Sequence, residues 1–486
     1  MEEFTQTKAI IWSAIERFAS QGIQFIIGII IARLLDPSCY GLIAMLYIFL
    51  AVGQSLIDSG FGSALIQKKV CTDKDYSTVF YFNIFISLLL YLILCLCSPL
   101  IAKFYQQPEL ENVVKVSTIV FVLNAFAIVQ RAQLTKKMDF RSQSVATIIS
   151  VLFSGLLGIF LAYNNFGVWA LVIQSLFNSG INTIMLWKYS HWRPSLCFST
   201  SSFKELYGFG SRMMLTGLIT TIYNNLYTLV IGKFYSPKEL GYYNRMQQIA
   251  TFPSKNLTSV IARAVYPKQC KIQDDKVALF SSYLKLLSHS SFIVFPLMFG
   301  LAALSEPLVK VLLGTKWVLA APYLSILCFA YCFDHIQYFN WQILSVKGRS
   351  DLSLNSEIIK KIISIVILII TIPMGIKVML WGLAIYALFD IIIIIPFVHK
   401  VMPEITYGVE FKAIVKQFAL ALLMFLGIKA ILPFFSNEYV QLLCCGILGC
   451  AVYLIASQVL HLDSWLYFKN TCINKFKKRI NENSNY

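Results

Sequence analysis

Five cations sit where hydrocarbon tolerates charge poorly. Arg17, Arg212, Arg245, Lys255 and Arg263 all fall inside apolar runs about twenty residues long, the length a helix needs to cross a bilayer. A charge at bilayer depth costs ~2.5–3.5 kcal/mol even on the most lenient insertion scale, so such groups face a partner or a wet cavity, not lipid. Helical periodicity places Ser13, Arg17, Ser20 and Gln24 on one face of the first run, with Glu16 beside them. The second run aligns Tyr47, Gln54 and Asp58. The seventh aligns Arg212, Thr216, Thr220, Tyr223 and Tyr227, with Asn224 at the margin. The eighth aligns Arg245, Phe252, Asn256, Ser259 and Arg263, with Gln248 and Lys255 just off the stripe. Four polar faces suggest one shared cleft in which the five cations outnumber Glu16 and Asp58. A net-positive cleft between low-dielectric walls attracts anions, and guanidinium forks suit phosphate. The candidate binding residues are therefore Arg17, Arg212, Tyr223, Asn224, Arg245, Lys255, Asn256 and Arg263. Glu16 and Asp58 are the candidates for ion coupling. The competing reading is structural: Arg17 pairs with Glu16, and Arg263 snorkels at the cytoplasmic end of its helix.

Other polar groups invite the same comparison. Asp334 and His335 are neighbours in sequence and do not share a helix face, which favours structural roles. Asp390, alone in FDIIIII, either holds a proton or pairs with Lys360 or Lys361, and pairing is favoured. Twelve cysteines lie mostly in apolar runs with no CxxC pair, as small packing residues in a reducing cell would. No Gly-x4-Gly-Lys-Ser/Thr, His-Glu-x-x-His or Gly-x-Ser-x-Gly occurs, so neither nucleotide hydrolysis nor metalloprotease or hydrolase chemistry is expected, and no cofactor or metal.

The elements holding these residues are almost the whole chain. Hydrophobic residues make up 57% of the 486, charged residues 13%, and the mean hydropathy is +0.68. The hydropathy pattern predicts an all-α polytopic membrane protein with fourteen spans, the first near 9–32 and the last near 439–460. The start, MEEFTQTK, is acidic and reads as no cleavable signal. The net charge of +17 could suggest nucleic acid, but its placement argues otherwise. Lys68, Lys69, Lys74, Lys136, Lys137 and Arg141 crowd the connections assigned to the cytoplasm, as do Lys475, Lys477, Lys478 and Arg479 in the tail. The outside loops are sparse in cations, with Arg33, Lys103, Lys233, Lys238, Lys310, Lys316 and Lys377. That is the positive-inside asymmetry, and it predicts cytoplasmic N- and C-termini. The basic tail suits anionic lipid headgroups.

A shift of 200 residues lays the first half on the second. Ile31, Arg33, Pro37 and Gly41 fall on Ile231, Lys233, Pro237 and Gly241, and Ser59 and Ala64 on Ser259 and Ala264. Each block ends one helix on a cation, turns on proline and opens the next helix near glycine. The expectation is two pseudo-symmetric six-helix lobes, residues 1–200 and 201–405. Two extra helices and the basic tail would occupy 406–486. A ligand site would lie between the repeats.

The runs IARLLDPSCYGLIAM, DSGFGSALIQKK, WRPSLCFSTSSFKELYGFGSRMM and LVIGKFYSPKELGYYNRMQQIATFP resemble the polysaccharide transporters of the multidrug/oligosaccharidyl-lipid/polysaccharide exporter superfamily. The likeness is to the Wzx-type flippases in particular, over roughly residues 5–430. The resemblance implies a non-enzymatic transporter in the bacterial inner membrane, working by alternating access through a cationic cavity. Its cargo would be an oligosaccharide repeat unit on undecaprenyl pyrophosphate, moved from the cytoplasmic to the outer leaflet for O-antigen, capsule or exopolysaccharide. The family's headgroup contacts would fall here on Arg17, Arg212, Tyr223, Arg245 and Lys255. Implied partners are membrane lipids, protons or sodium, a polysaccharide polymerase and a chain-length regulator, with no nucleic acid. Two other functions compete. A drug or organic-cation antiporter would need carboxylates facing its substrate, and a membrane polymerase or ligase would need a large outer loop.

Overall fold

The computed structural model describes residues 20–58 and 60–470, with backbone alone at Phe209, Arg212, Met213 and Thr216. Among the described residues there is no strand. In hydrocarbon a helix satisfies its backbone polar groups within one segment, and this chain uses that solution throughout. Among the described residues, ten helices are long and apolar enough to cross a membrane. The other four predicted spans also fall on helix. The span near 9–32 is described from α1 (Ser20–Leu34) onward. Those near 207–232, 240–264 and 355–375 fall on α9 (Thr200–Asn224) with α10 (Leu226–Phe234), on α11 (Pro237–Lys271) and on α16 (Ser350–Thr371). These last carry the intramembrane charges or, in α9–α10, a break at Asn225, so they score as less apolar.

The chain divides into two compact units, Met1–Asn244 and Arg245–Tyr486, and the division falls within α11. The first unit holds α1, α2 (Pro37–Asp58), α3 (Phe61–Gln67), α4 (Asp73–Tyr105), α5 (Glu109–Ser117), α6 (Ile119–Lys136), α7 (Phe140–Tyr163), α8 (Val168–Ser190), α9 and α10. Its packing is led by α7 on α8, with α6 on both α8 and α4, and α2 against α9. One core cluster joins Phe61, Leu65, Val79, Phe80 and Val129 to Leu206 of α9. Phe80 sits edge-on to Phe126, Trp187 and Trp192, at 5.8–5.9 Å between ring centroids, a geometry aromatic quadrupoles favour. The start of α4 is a capping box: Thr72 accepts from the Asp75 N–H, and Asp75 accepts from the Thr72 N–H at 2.8 Å.

The repeated prolines and glycines meet reciprocally within this unit. A Cβ on Gly41 would overlap the Pro237 carbonyl, and one on Gly241 would overlap the Pro37 carbonyl. Two helix starts thus cross with backbone against backbone, a closeness that small residues permit.

The second unit holds the rest of α11, then α12 (Lys276–Ala303), α13 (Ser305–Leu313), α14 (Ala321–Tyr331), α15 (Asp334–Val346), α16, α17 (Ile376–His399), α18 (Tyr407–Ile431) and α19 (Glu438–Val459). The largest packing is α12 on α18, with α19 on α18, so the two helices expected outside the repeat lie against α12. Phe295 and Phe299 pack edge-on to Phe418, with centroids 5.4 and 5.3 Å apart. Buried polar groups bridge the same helices. Tyr283 donates to Glu410 at 2.8 Å, Asn340 donates to its other oxygen at 3.3 Å, and His335 meets the Ser291 hydroxyl at 2.8 Å.

Because Gly41 meets rigid backbone, Gly41→Ala should destabilise by about 1–3 kcal/mol. Gly22→Ala, where a Cβ meets nothing within 4 Å, should stay within about 0.5 kcal/mol of the parent. Thermal unfolding in detergent reads both, and equal values would refute the close crossing.

Candidate functional site

The predicted polar faces occupy helices of both units, and each unit presents its own set. Glu16 and Arg17 lie outside the described residues, as does the side chain of Arg212. In the first unit Gln54 is the centre of a relay between α6 and α2. It accepts from Asn124 at 2.9 Å and donates to Asp58 at 3.1 Å, and the Arg131 charge also acts on Asp58. Asn124 was not singled out in the sequence, although it is the one amide in the run FVLNAFAIV. α9 packs on α2 where the Gly217 position approaches the Ser55 hydroxyl, which leaves Tyr223 and Asn224 at the far end of α9. Tyr223 is half-buried and Asn224 exposed.

In the second unit the predicted cations follow one helix. Arg245 is 7% exposed and donates to Gln248 at 3.0 Å. Lys255 and Arg263 are exposed, and Asn256 is half-buried. The Asn256 amide donates back to the Phe252 carbonyl at 2.8 Å, so the helix uses one of its N–H groups. At 1.5 Å per residue, Arg245 lies about 12 Å along α11 from Pro237, with Lys255 about 15 Å further and Arg263 another ~12 Å on. The helix therefore bears a ladder of cations along nearly the thickness of a bilayer. Lys255 also places its charge on Asp334.

Two charged groups read as alternatives in the sequence now have partners. Asp390 lies 3.0 Å from the Lys360 ammonium, which Glu357 also contacts, so the pairing reading of Asp390 holds. His335 is buried apart from Asp334, held by Ser291. Glu410 was missed, because it falls at the edge of a predicted span where a carboxylate reads as interfacial. Its 2% exposure and its two donors come from helices distant in sequence.

At the other end of α9, the helix is tied to the start of α4. Lys68 bridges Glu205 at 2.8 Å and Asp75 at 3.2 Å, and the Ser199 N–H donates to the Thr78 hydroxyl at 2.9 Å. The hydrogen bond to Glu205 raises the Lys68 ammonium above its ordinary value. This clamp fixes where the polar face of α9 begins.

Residues 30–322 match the family described as "Polysaccharide biosynthesis protein". The chain is 29% identical over 303 residues to the teichuronic acid biosynthesis protein TuaB of Bacillus subtilis, a match spanning 62% of each chain. It is 26% identical over 365 residues to the lipopolysaccharide biosynthesis protein WzxC of Escherichia coli K12, covering 74% of this chain and 73% of that one. Its fold is that of the lipid II flippase MurJ in an inward closed conformation, with a TM-score of 0.78, 16% identity and coverage of 93% and 99%.

The Asn124–Gln54–Asp58 relay makes a testable claim about the first unit. In a double-mutant cycle, Gln54→Leu and Asn124→Leu should couple by about 0.5–1.5 kcal/mol in thermal unfolding. Additive losses would mean that the two amides act separately.

Proposed function

Since the chain belongs to the polysaccharide biosynthesis protein family, we propose that it is a flippase for undecaprenyl-pyrophosphate-linked oligosaccharide repeat units. It carries them from the cytoplasmic to the outer leaflet of the bacterial inner membrane, where they serve surface polysaccharide synthesis. The observation that carries this reading is the cation ladder of α11. Arg245 is a buried guanidinium inside a membrane protein, and Lys255 and Arg263 follow it along the same helix. A membrane protein retains such costly charges where a substrate needs them. A diphosphate is the group that a series of cations would hold and pass on, while tyrosines and amides such as Tyr223, Asn224 and Asn256 meet the sugars. The polyprenyl tail stays in lipid throughout, so only the headgroup needs a polar path. Transport proceeds by alternating access, with two conformations that differ in which leaflet reaches the cations. Both termini lie in the cytoplasm, and no covalent chemistry is performed. An organic-cation exporter would require the opposite charge balance on this helix.

Charge removal should impair transport more than folding. Arg245→Gln should weaken headgroup binding by about ten- to a hundredfold, the value of one charge-assisted contact. Arg245→Lys should be poorly tolerated where the bidentate fork matters. The readout is surface polysaccharide in a flippase-deficient strain, with membrane levels of the protein measured beside it. Full complementation by the triple variant Arg245→Gln, Lys255→Gln, Arg263→Gln would overturn the cationic path.

A further inference from the structure

The second unit contains a charge cluster that the cargo path does not use. Lys360, on α16, is 1% exposed, and its ammonium touches Glu357 one turn earlier and Asp390 of α17 at 3.0 Å. Glu357 is shared with Lys361 at 3.6 Å. Two ammonium groups and two carboxylates therefore balance. Asp390 lies about 21 Å along α17 from Ile376, well inside the membrane. The cluster extends further through space. The Asp390 charge acts on Asp334 of α15, and Asp334 also lies in the field of Lys255 on α11. Further titratable groups nearby are Cys332 beside Asp334, Tyr386 one turn before Asp390, His335 and Tyr338 of α15, and Tyr323, Cys328 and Tyr331 of α14, two helices packed on α17.

We propose that Glu357, Lys360, Lys361 and Asp390 form the proton site that drives transport, with Asp390 as the group that gains and loses the proton. This inference rests on the flippase reading above, to which it adds the source of free energy. A buried ammonium keeps its charge because both carboxylates surround it, and removing either partner leaves an uncompensated charge. A proton arriving on Asp390 does that: the O–H bond forms, the contact to Lys360 ends, and the cluster gains one positive charge. The α16–α17 contact is then unstable as it stands, which is the property a two-state element requires. The Oδ1 that faces Lys360 lies 3.0 Å from the ammonium, so a proton arriving on this oxygen replaces the contact to Lys360 and does not add to it. A metal ion fits less well. Among the described residues no three carboxylate, histidine or cysteine side chains converge as a cage, and an ammonium already fills the space between these two carboxylates. The link to cargo runs through Lys255. A diphosphate drawing on that cation weakens its hold on Asp334, and the change reaches Asp390 through their mutual repulsion.

The test has two arms. The first uses purified full-length protein in lipid vesicles without cargo. Infrared difference spectra between about pH 8 and about pH 5 should show a protonated-carboxyl band, distinct from those of Asp334 and Glu410, that Asp390→Asn removes and Asp334→Asn and Glu410→Gln retain. Persistence of the band in Asp390→Asn would overturn the assignment. The second arm uses the double variant Lys360→Met, Asp390→Asn, which removes one charge of each sign and leaves Glu357 with Lys361. A purely structural pair tolerates this exchange. A proton site does not: export should fall about tenfold or more, within the range of couplings between sites, while membrane levels stay normal. Wild-type export by the double variant, or transport driven by a sodium gradient at clamped pH, would refute the proposal. If the wild type moves no lipid-linked sugar, the flippase reading fails by itself, and the infrared arm still decides whether Asp390 is a proton site.

Discussion

The constraint on which everything else in this protein depends is the cost of a polar atom in hydrocarbon. It makes every described element helical, because a helix satisfies its backbone internally. It also sorts the side chains. Lys360 is buried between carboxylates, Glu410 accepts from Tyr283 and Asn340, and His335 is held by Ser291. Lys255 and Arg263, by contrast, remain exposed on α11. Charges satisfied inside a unit hold its helices together. Charges left accessible on a membrane helix are available for a ligand. Arg245 stands between these cases, buried yet on the same helix as the exposed Lys255 and Arg263.

The same cost explains why packing within each unit relies on small residues and aromatics. Apolar side chains gain little by leaving lipid for another apolar surface, so helices associate through close fit and hydrogen bonds. The reciprocal approach of Gly41 to Pro237 and Gly241 to Pro37 is the tightest form of that fit, with no side chain between the two backbones. At these helix ends the work passes to charges, where Lys68, Asp75 and Glu205 tie α4 to α9. A surface ion pair of that kind adds little stability by itself. Its value here is position, since it sets the register of a helix whose other end carries Tyr223 and Asn224.

The cation ladder and the buried cluster have different physical requirements. A ladder must be wet enough to exchange one anionic contact for the next, so no single cation may bind too strongly. The cluster must be dry enough that one proton changes its balance by a full unpaired charge. Asp334 is acted on by the charges of both Lys255 and Asp390. In the proposed mechanism, these separate environments let cargo binding and coupling differ in strength.

Much of this was determined by the sequence alone. Span length and hydropathy are local properties, so the all-α membrane class, the positions of most helices and the offset of 200 are readable residue by residue. Intramembrane cations such as Arg245 and Lys255 are also visible, since their cost arises from the run that contains them. Which cations end up buried is a different matter. Arg245 and Arg263 share a helical face, yet the first is buried against Gln248 and the second is exposed. The choice of Lys360 over Lys361 as the close partner of Asp390, the relay through Asn124, and the burial of Glu410 likewise needed the tertiary structure. Each depends on a helix many residues away. Hydrophobic periodicity specifies which face of a helix turns inward, but the partner it meets there is set by how the helices pack.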